Sequence, residues 1–141
     1  MREEHTEKRL VLFADDDRDD LDLVCRALEP FESIELKPFL YGGQILTHIE
    51  KLGPSDRLPC LVILDINMPV VTGKDVLRRM RERPLLSSIP VVLFTTSSLD
   101  ADMEYARLYN AHFITKPLHT GQMEIVVRQL VALCGAEVGQ D

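Results

Sequence analysis

The sequence predicts an α/β protein built on a doubly wound, five-stranded parallel sheet of order 2-1-3-4-5. Three observations carry that prediction. Short apolar runs, Leu10–Ala14, Leu61–Leu64 and Val91–Phe94, do not alternate with polar residues and read as strands buried on both faces. Segments with apolar residues three and four apart lie between them, so strand and helix signals alternate along the chain. Two of the runs end in acids, Asp15-Asp16-Asp17 after the first and Asp65 after the third strand. Open α/β sheets place their chemistry at such carboxyl ends.

Each element has its own signal. After the first strand, Leu21, Val24, Cys25 and Leu28 mark one face of a helix that Pro30 stops. Ser33 to Lys37 forms a short second strand with Ile34 and Leu36 on one side, and Gly42-Gly43 then breaks the chain. Ile45, Leu46, Ile49 and Leu52 give a second helix, closed by Gly53-Pro54. Leu61–Leu64 is the third strand, flanked by Pro59 and Pro69. Val76, Leu77 and Met80 give a third helix ending before Pro84. Pro90 opens the fourth strand, ending in Thr95, and Leu99, Met103 and Ala106 mark a fourth helix. Phe113-Ile114 centres a fifth strand ended by Pro117, and Met123 to Cys134 is the last helix. Five such units need right-handed helical crossovers, which cover both faces of a parallel sheet.

The totals bound the function. A chain of 141 residues, 45% apolar and 28% charged, fits one globular domain. A net charge of −7 argues against nucleic acid as the main partner. No run reaches membrane-spanning length, and the charged start, Met1-Arg2-Glu3-Glu4-His5, lacks the core of a signal peptide, so a cytoplasmic protein is expected. Cys25, Cys60 and Cys134 follow no metal spacing and are expected to be small buried hydrophobes in a reducing compartment. Residues 8–134 are expected to form the domain, with residues 1–7 and 135–141 as flexible tails.

In the predicted order, strands one and three flank the switch point, so Asp15, Asp16 and Asp65 converge in one crevice. Carboxylates gathered there repel one another unless a cation or proton intervenes. The run Asp15-Asp16-Asp17-Arg18-Asp19-Asp20 has three readings. One is a solvated loop whose acids favour the next helix, which accounts for Asp19, Asp20 and Asp22. A calcium loop fails, because Asp20 stands where a glycine is needed and Arg26 where a bidentate glutamate is needed. The third is a magnesium site shared by Asp15, Asp16 and Asp65. The direct role of Asp16 depends on Ala14 ending the strand, since a shift of one residue would exchange roles with Asp17. Thr95 and Lys116 end strands four and five at the same edge. An acid, a hydroxyl and an amine in one crevice form a stronger case than any one of them.

These residues, at these spacings, resemble the receiver domain of two-component response regulators, a flavodoxin-like (βα)5 fold. The motifs are Asp15-Asp16, Asp65-Ile66-Asn67-Met68-Pro69 with Gly73, Thr95, and Lys116-Pro117. The resemblance implies that Asp65 is a phosphoacceptor that attacks a phosphohistidine of a sensor histidine kinase. It implies magnesium held by Asp15, Asp16, Asp65 and the backbone carbonyl of Asn67, with Lys116 and Thr95 on the phosphoryl group. Thr95 and Phe113 would be the switch pair, and Pro117 a cis-proline that aims Lys116. Gly73 is expected to be structural. Asn110 replaces a common glycine before strand five and tolerates the left-handed conformation.

The chain looks like a stand-alone receiver with no output domain. The Asp-Arg-Asp-Asp run, the segment Leu52–Pro59 and Thr95-Thr96-Ser97-Ser98 are similar to small regulators that pair with phytochrome-type kinases. Val126, Val127, Leu130, Val131 and Leu133 of the last helix are too many for one sheet-facing stripe, which suggests a homodimer through helices four and five. The expected activity is transfer to its own aspartate, not turnover as an enzyme. The rival readings are a magnesium phosphatase of the haloacid-dehalogenase type and a docking receiver that works without phosphorylation. For the first, Asn67 occupies the second-acid position after Asp65. For the second, a key residue should be missing, and none is.

Overall fold

The computed structural model describes residues 8–135. Strands and helices alternate: β1 (Arg9–Ala14), α1 (Arg18–Leu28), β2 (Ile34–Phe39), α2 (Gly42–Glu50), β3 (Leu61–Leu64), α3 (Gly73–Glu82), β4 (Val91–Thr95), α4 (Asp100–Leu108), β5 (His112–Thr115) and α5 (Met123–Leu133). The sheet is parallel throughout, in the order β2-β1-β3-β4-β5. Its register sets Ala14 beside Leu64, Leu64 beside Leu93, and Thr95 beside Thr115, so the strands end together.

The three continuous apolar runs are buried along their whole length because both faces of the sheet are covered. Leu12, Leu64 and Leu93 pack with Ile45, Ile49, Val76, Leu77 and Met80 under α2 and α3. Phe13, Ile63 and Phe94 pack with Val24, Val127 and Leu130 under α1 and α5, with Phe13 and Phe94 edge to face at 6.1 Å between ring centres. Each such side chain contributes roughly 1.5–3 kcal/mol of burial free energy, so the sheet centre holds the strand ends rigidly.

Several local expectations need correction. Gly42-Gly43 does not break the chain but opens α2, because a Cβ on Gly42 would lie 2.0 Å from the Val71 carbonyl oxygen. β2 runs through Pro38 to Phe39, which an edge strand tolerates. On α4, Leu99 and Met103 face outward, and Ala106 and Asp102 are the buried residues. On α5, Val126, Val127, Leu130 and Val131 are all buried, because the helix packs against both the sheet and the neighbouring α1. The expected excess of apolar faces is therefore absorbed by a wide core contact.

Cys60, just before β3, and Cys134, at the end of α5, form a disulfide with their Cα atoms 5.0 Å apart. This replaces the expectation of three unpaired cysteines; only Cys25 is free, and it is half-buried. Asn110 adopts the left-handed conformation at φ 54°, as its residue type allows. Val70, in the loop between β3 and α3, does so at φ 68° although it is β-branched. The two expected tails lie outside the described residues apart from Gly135, which follows α5 at φ 79°.

Candidate functional site

Backbone hydrogen bonds that continue the sheet set each site residue in place. The Asp15 N–H donates to the Phe39 carbonyl at 3.0 Å, and the Asp65 N–H to the Ala14 carbonyl at 3.0 Å. The Lys116 N–H donates to the Thr95 carbonyl at 2.8 Å. Asp15, Asp65, Thr95 and Lys116 are thereby fixed at adjacent strand ends, and all four are buried. Gly73 closes the floor: a Cβ there would lie 2.3 Å from the Asp65 carbonyl oxygen, so only glycine lets α3 start against the strand end.

β1 ends at Ala14, which fixes where each acid of the run stands. Asp17 caps α1, accepting from the Asp19 N–H at 2.9 Å and the Asp20 N–H at 3.3 Å. Asp15 turns inward, its Oδ1 accepting from the Asp17 N–H at 2.9 Å, and Asp16 is exposed at the rim. Carboxylate oxygens of Asp15, Asp16 and Asp65 lie within 4.8 Å of one another.

Lys116 is the positive centre. Its Nζ donates to Asp20 Oδ2 at 2.7 Å and to Asp65 Oδ2 at 3.4 Å, and lies 2.7 Å from Asp15 Oδ2. Burial works against its charge, but the close carboxylates of Asp15, Asp20 and Asp65 outweigh it. The ammonium is held above the usual lysine range. Burial also pushes the Asp15 carboxyl up to about 7; Lys116 and the Asp17 N–H offset part of that rise, and Asp65 adds to it.

The acidic group fits a divalent cation on one further observation. Asp15 Oδ2 is buried and has no aligned hydrogen-bond donor. Its charge is met by the Lys116 ammonium at 2.7 Å without an aligned hydrogen bond, which leaves it a poorly satisfied oxygen that a divalent cation could coordinate. Three carboxylates, one of them exposed at the rim, are a donor set suited to a divalent cation. Asn67 is exposed, and its N–H donates to Asp65 Oδ1 at 3.4 Å, which ties the loop after β3 to the acid.

Two expected residues stand differently. The Lys116–Pro117 peptide is trans, since no cis bond occurs among the described residues. The ladder bond from Lys116 to Thr95 already aims the lysine, so a cis bond is not needed for that purpose. Phe113 is half-buried against the core that α3 and α4 cover. The Thr95 hydroxyl accepts from the Ser97 N–H at 3.3 Å. Ser97 in turn donates to Asp102, whose other oxygen lies 2.5 Å from Lys74 Nζ.

Sequence reasoning missed Asp20 as a partner of Lys116, reading it as a helix-favouring acid. The available signal was the N-cap at Asp17, which fixes Asp20 in the first turn of α1.

Comparison with known proteins agrees with this geometry. The response regulator receiver domain model matches residues 11–128. The probable methanogenesis regulatory protein FilR2 of Methanothrix harundinacea is 29% identical over 126 residues, covering 86% of this chain and 80% of that protein. Response regulator Rcp1 of Synechocystis is 32% identical over 107 residues, covering 73% and 72%. The phosphorylated cyanobacterial phytochrome response regulator RcpA superposes with a TM-score of 0.81 over 94% of this chain and 99% of that one; at 24% identity it speaks for the fold alone. The Mn2+-bound form of Rcp1 superposes with a TM-score of 0.75 at 26% identity, over 88% and 92%. No helix among the described residues is long and apolar enough to cross a membrane.

Proposed function

The chain belongs to the response regulator receiver domain family of two-component signalling, and from that premise we propose that Asp65 accepts a phosphoryl group from a sensor histidine kinase. The observation that carries the reading is the buried Asp65 carboxylate, 3.4 Å from Lys116 Nζ and clustered with Asp15 and Asp16.

A carboxylate oxygen of Asp65 attacks the phosphorus of a phosphohistidine. The P–N bond breaks, and the imidazole leaves with the bonding pair and takes a proton from solvent. An acyl phosphate remains on Asp65. Phosphoryl transfer needs positioning and charge neutralisation more than covalent assistance. Asp15, Asp16, Asp65 and the Asn67 carbonyl would hold magnesium, which supplies positive charge against the crowded carboxylates and the phosphoryl oxygens. Lys116 shifts its ammonium onto a phosphoryl oxygen. The Thr95 hydroxyl gives up its contact with the Ser97 N–H and donates to another phosphoryl oxygen, which begins the change at the surface. Phe113 is positioned to follow that movement as a switch aromatic. The protein carries one phosphoryl group and does not turn over substrates.

The output is a protein contact. Leu99, Met103 and Leu108 on α4, with Leu118 and Ile125 near α5, are exposed apolar residues. They suit a second copy of the chain or a downstream partner. The likeness to Rcp1 supports a phytochrome-type kinase as the donor.

Incubation with magnesium and acetyl phosphate tests the reading by intact mass. A phosphoryl adduct on the wild-type protein that is absent in Asp65→Asn is expected. An adduct that persists in Asp65→Asn, or steady hydrolysis of varied phosphoesters, overturns it.

A further inference from the structure

We propose that Asp20 is a positioning residue that sets how tightly the site holds a phosphoryl group, by competing for the Lys116 ammonium. The inference rests on the reading of Asp65 as phosphoacceptor. Asp20 sits in the first turn of α1, and the cap at Asp17 fixes where that turn starts. Its Oδ2 accepts the short, aligned hydrogen bond of Lys116, at 2.7 Å, whereas the bond to Asp65 is 3.4 Å. The third close oxygen, Asp15 Oδ2 at 2.7 Å, is not aligned as an acceptor.

An ammonium has three donors. Two of them go to Asp20 and Asp65, and Asp15 Oδ2 stands against the ammonium at 2.7 Å, so a phosphoryl oxygen gains close approach only by displacing one of the three carboxylates. One carboxylate must yield when the phosphoryl group arrives. Asp15 and Asp65 are almost fully buried and stay in the crevice, but the Asp20 side chain is 29% exposed and can return to water. A carboxylate that can be resolvated exchanges its partner at a lower cost than a buried one. Asp20 is also outside the acidic group suited to a cation, so metal binding does not relieve it. Its charge therefore opposes the incoming phosphoryl group twice, by holding the lysine and by like-charge repulsion.

The alternative role for Asp20 is support of the α1 N-terminus. Asp19 separates the two, because it is an acid of the same turn with no contact to Lys116. Beryllofluoride, titrated in magnesium and followed by fluorine NMR, serves as the phosphoryl mimic. Asp20→Asn and Asp20→Ser should lower the half-saturating concentration by about threefold to tenfold, with Asp20→Glu close to wild type and Asp19→Asn unchanged. A half-saturation that is unchanged or raised in the two neutral variants overturns the inference, as does an equal effect of Asp19→Asn. If neither neutral variant folds, by circular dichroism and thermal melting, Asp20 is a structural residue and the inference fails. Absence of binding by the wild type, or binding that survives Asp65→Asn, instead removes the Asp65 reading and this inference with it.

Discussion

Lys116 Nζ lies 2.7 Å from Asp15 Oδ2 without forming an aligned hydrogen bond. The pair neutralises charge, and a divalent cation would compete with the ammonium for that buried oxygen. Burial raises the Asp15 carboxyl from its ordinary 3.8 to about 7, so the folded, metal-free state binds that proton more tightly than the unfolded chain. The sign follows: this group makes the metal-free protein lose stability as pH rises from about 4 to about 7. A divalent cation needs the carboxylate, so it reverses the trend. Magnesium should raise the melting temperature little at pH 5.5, progressively more through pH 7, and by a constant amount above pH 8. Thermal melts across that series check it; an equal magnesium shift at pH 5.5 and pH 8 would count against Asp15 as the titrating ligand.

Arg81, on the last turn of α3, ties together three separate pieces of chain. Its Nε donates to the Tyr109 carbonyl at 2.8 Å and its Nη2 to the Asn110 carbonyl at 3.0 Å. Its Nη1 donates to the Ser87 and Ile89 carbonyls at 3.1 and 2.9 Å. The guanidinium thus holds the loops that enter β4 and β5, the strands carrying Thr95 and Lys116. Arg81→Ala should destabilise the fold by about 2 kcal/mol, since hydrogen bonds to a charged donor are the stronger kind. Arg81→Lys should recover less than half, because an ammonium cannot span the four acceptors. Urea unfolding of both variants measures this, and a lysine variant as stable as wild type would refute the fork geometry.

These two clusters show where sequence reading succeeds. β3 and β4 were legible to the residue because burial on both faces leaves an unbroken apolar run. Asp15, Asp65 and Thr95 could be placed because each directly follows or ends such a run, and Lys116 because it stands before Pro117 at the end of the short β5. α4 was legible as a helix but not in its facing, since Leu99 and Met103 are exposed and apolar letters alone do not report that. The four acceptors of Arg81 are backbone carbonyls, which have no signature in side-chain identity. Asp20 and Lys116 are 96 positions apart, and only the closed sheet brings them together.

The Cys60–Cys134 pair spans 74 positions and joins the chain before β3 to the end of α5. A crosslink of that span restricts the unfolded chain by ~4 kcal/mol in the loop-entropy view. Denatured without reductant, the protein should titrate one thiol, Cys25, and three after reduction. Cys60→Ser should lower the unfolding midpoint, with no further loss on adding reductant. Three reactive thiols before reduction would rule the bridge out.

Asp102 links the Thr95 loop to α3. It accepts from the Ser97 hydroxyl and lies 2.5 Å from Lys74 Nζ, while the Tyr105 hydroxyl donates to the Lys74 carbonyl at 2.9 Å. The hydrogen bonds of Lys74 and Ser97 hold the Asp102 carboxyl below the usual range. A depressed carboxylate contributes stability above its unfolded value and loses it as pH falls through the folded one. Asp102→Asn keeps an acceptor for Ser97 but removes the ion pair, so it should cost about 1 kcal/mol at pH 7. The gap between the two proteins should shrink below about pH 4, where the acid of the unfolded chain starts to take up a proton. Because Ser97 also donates its N–H to the Thr95 hydroxyl, the same variant should speed amide exchange across residues 97–103. Urea unfolding at pH 7 and pH 3.5, with exchange measured at pH 7, separates the parts. A gap that does not narrow in acid would show that the ion pair is not its source, and unchanged exchange would detach Asp102 from the Thr95 loop.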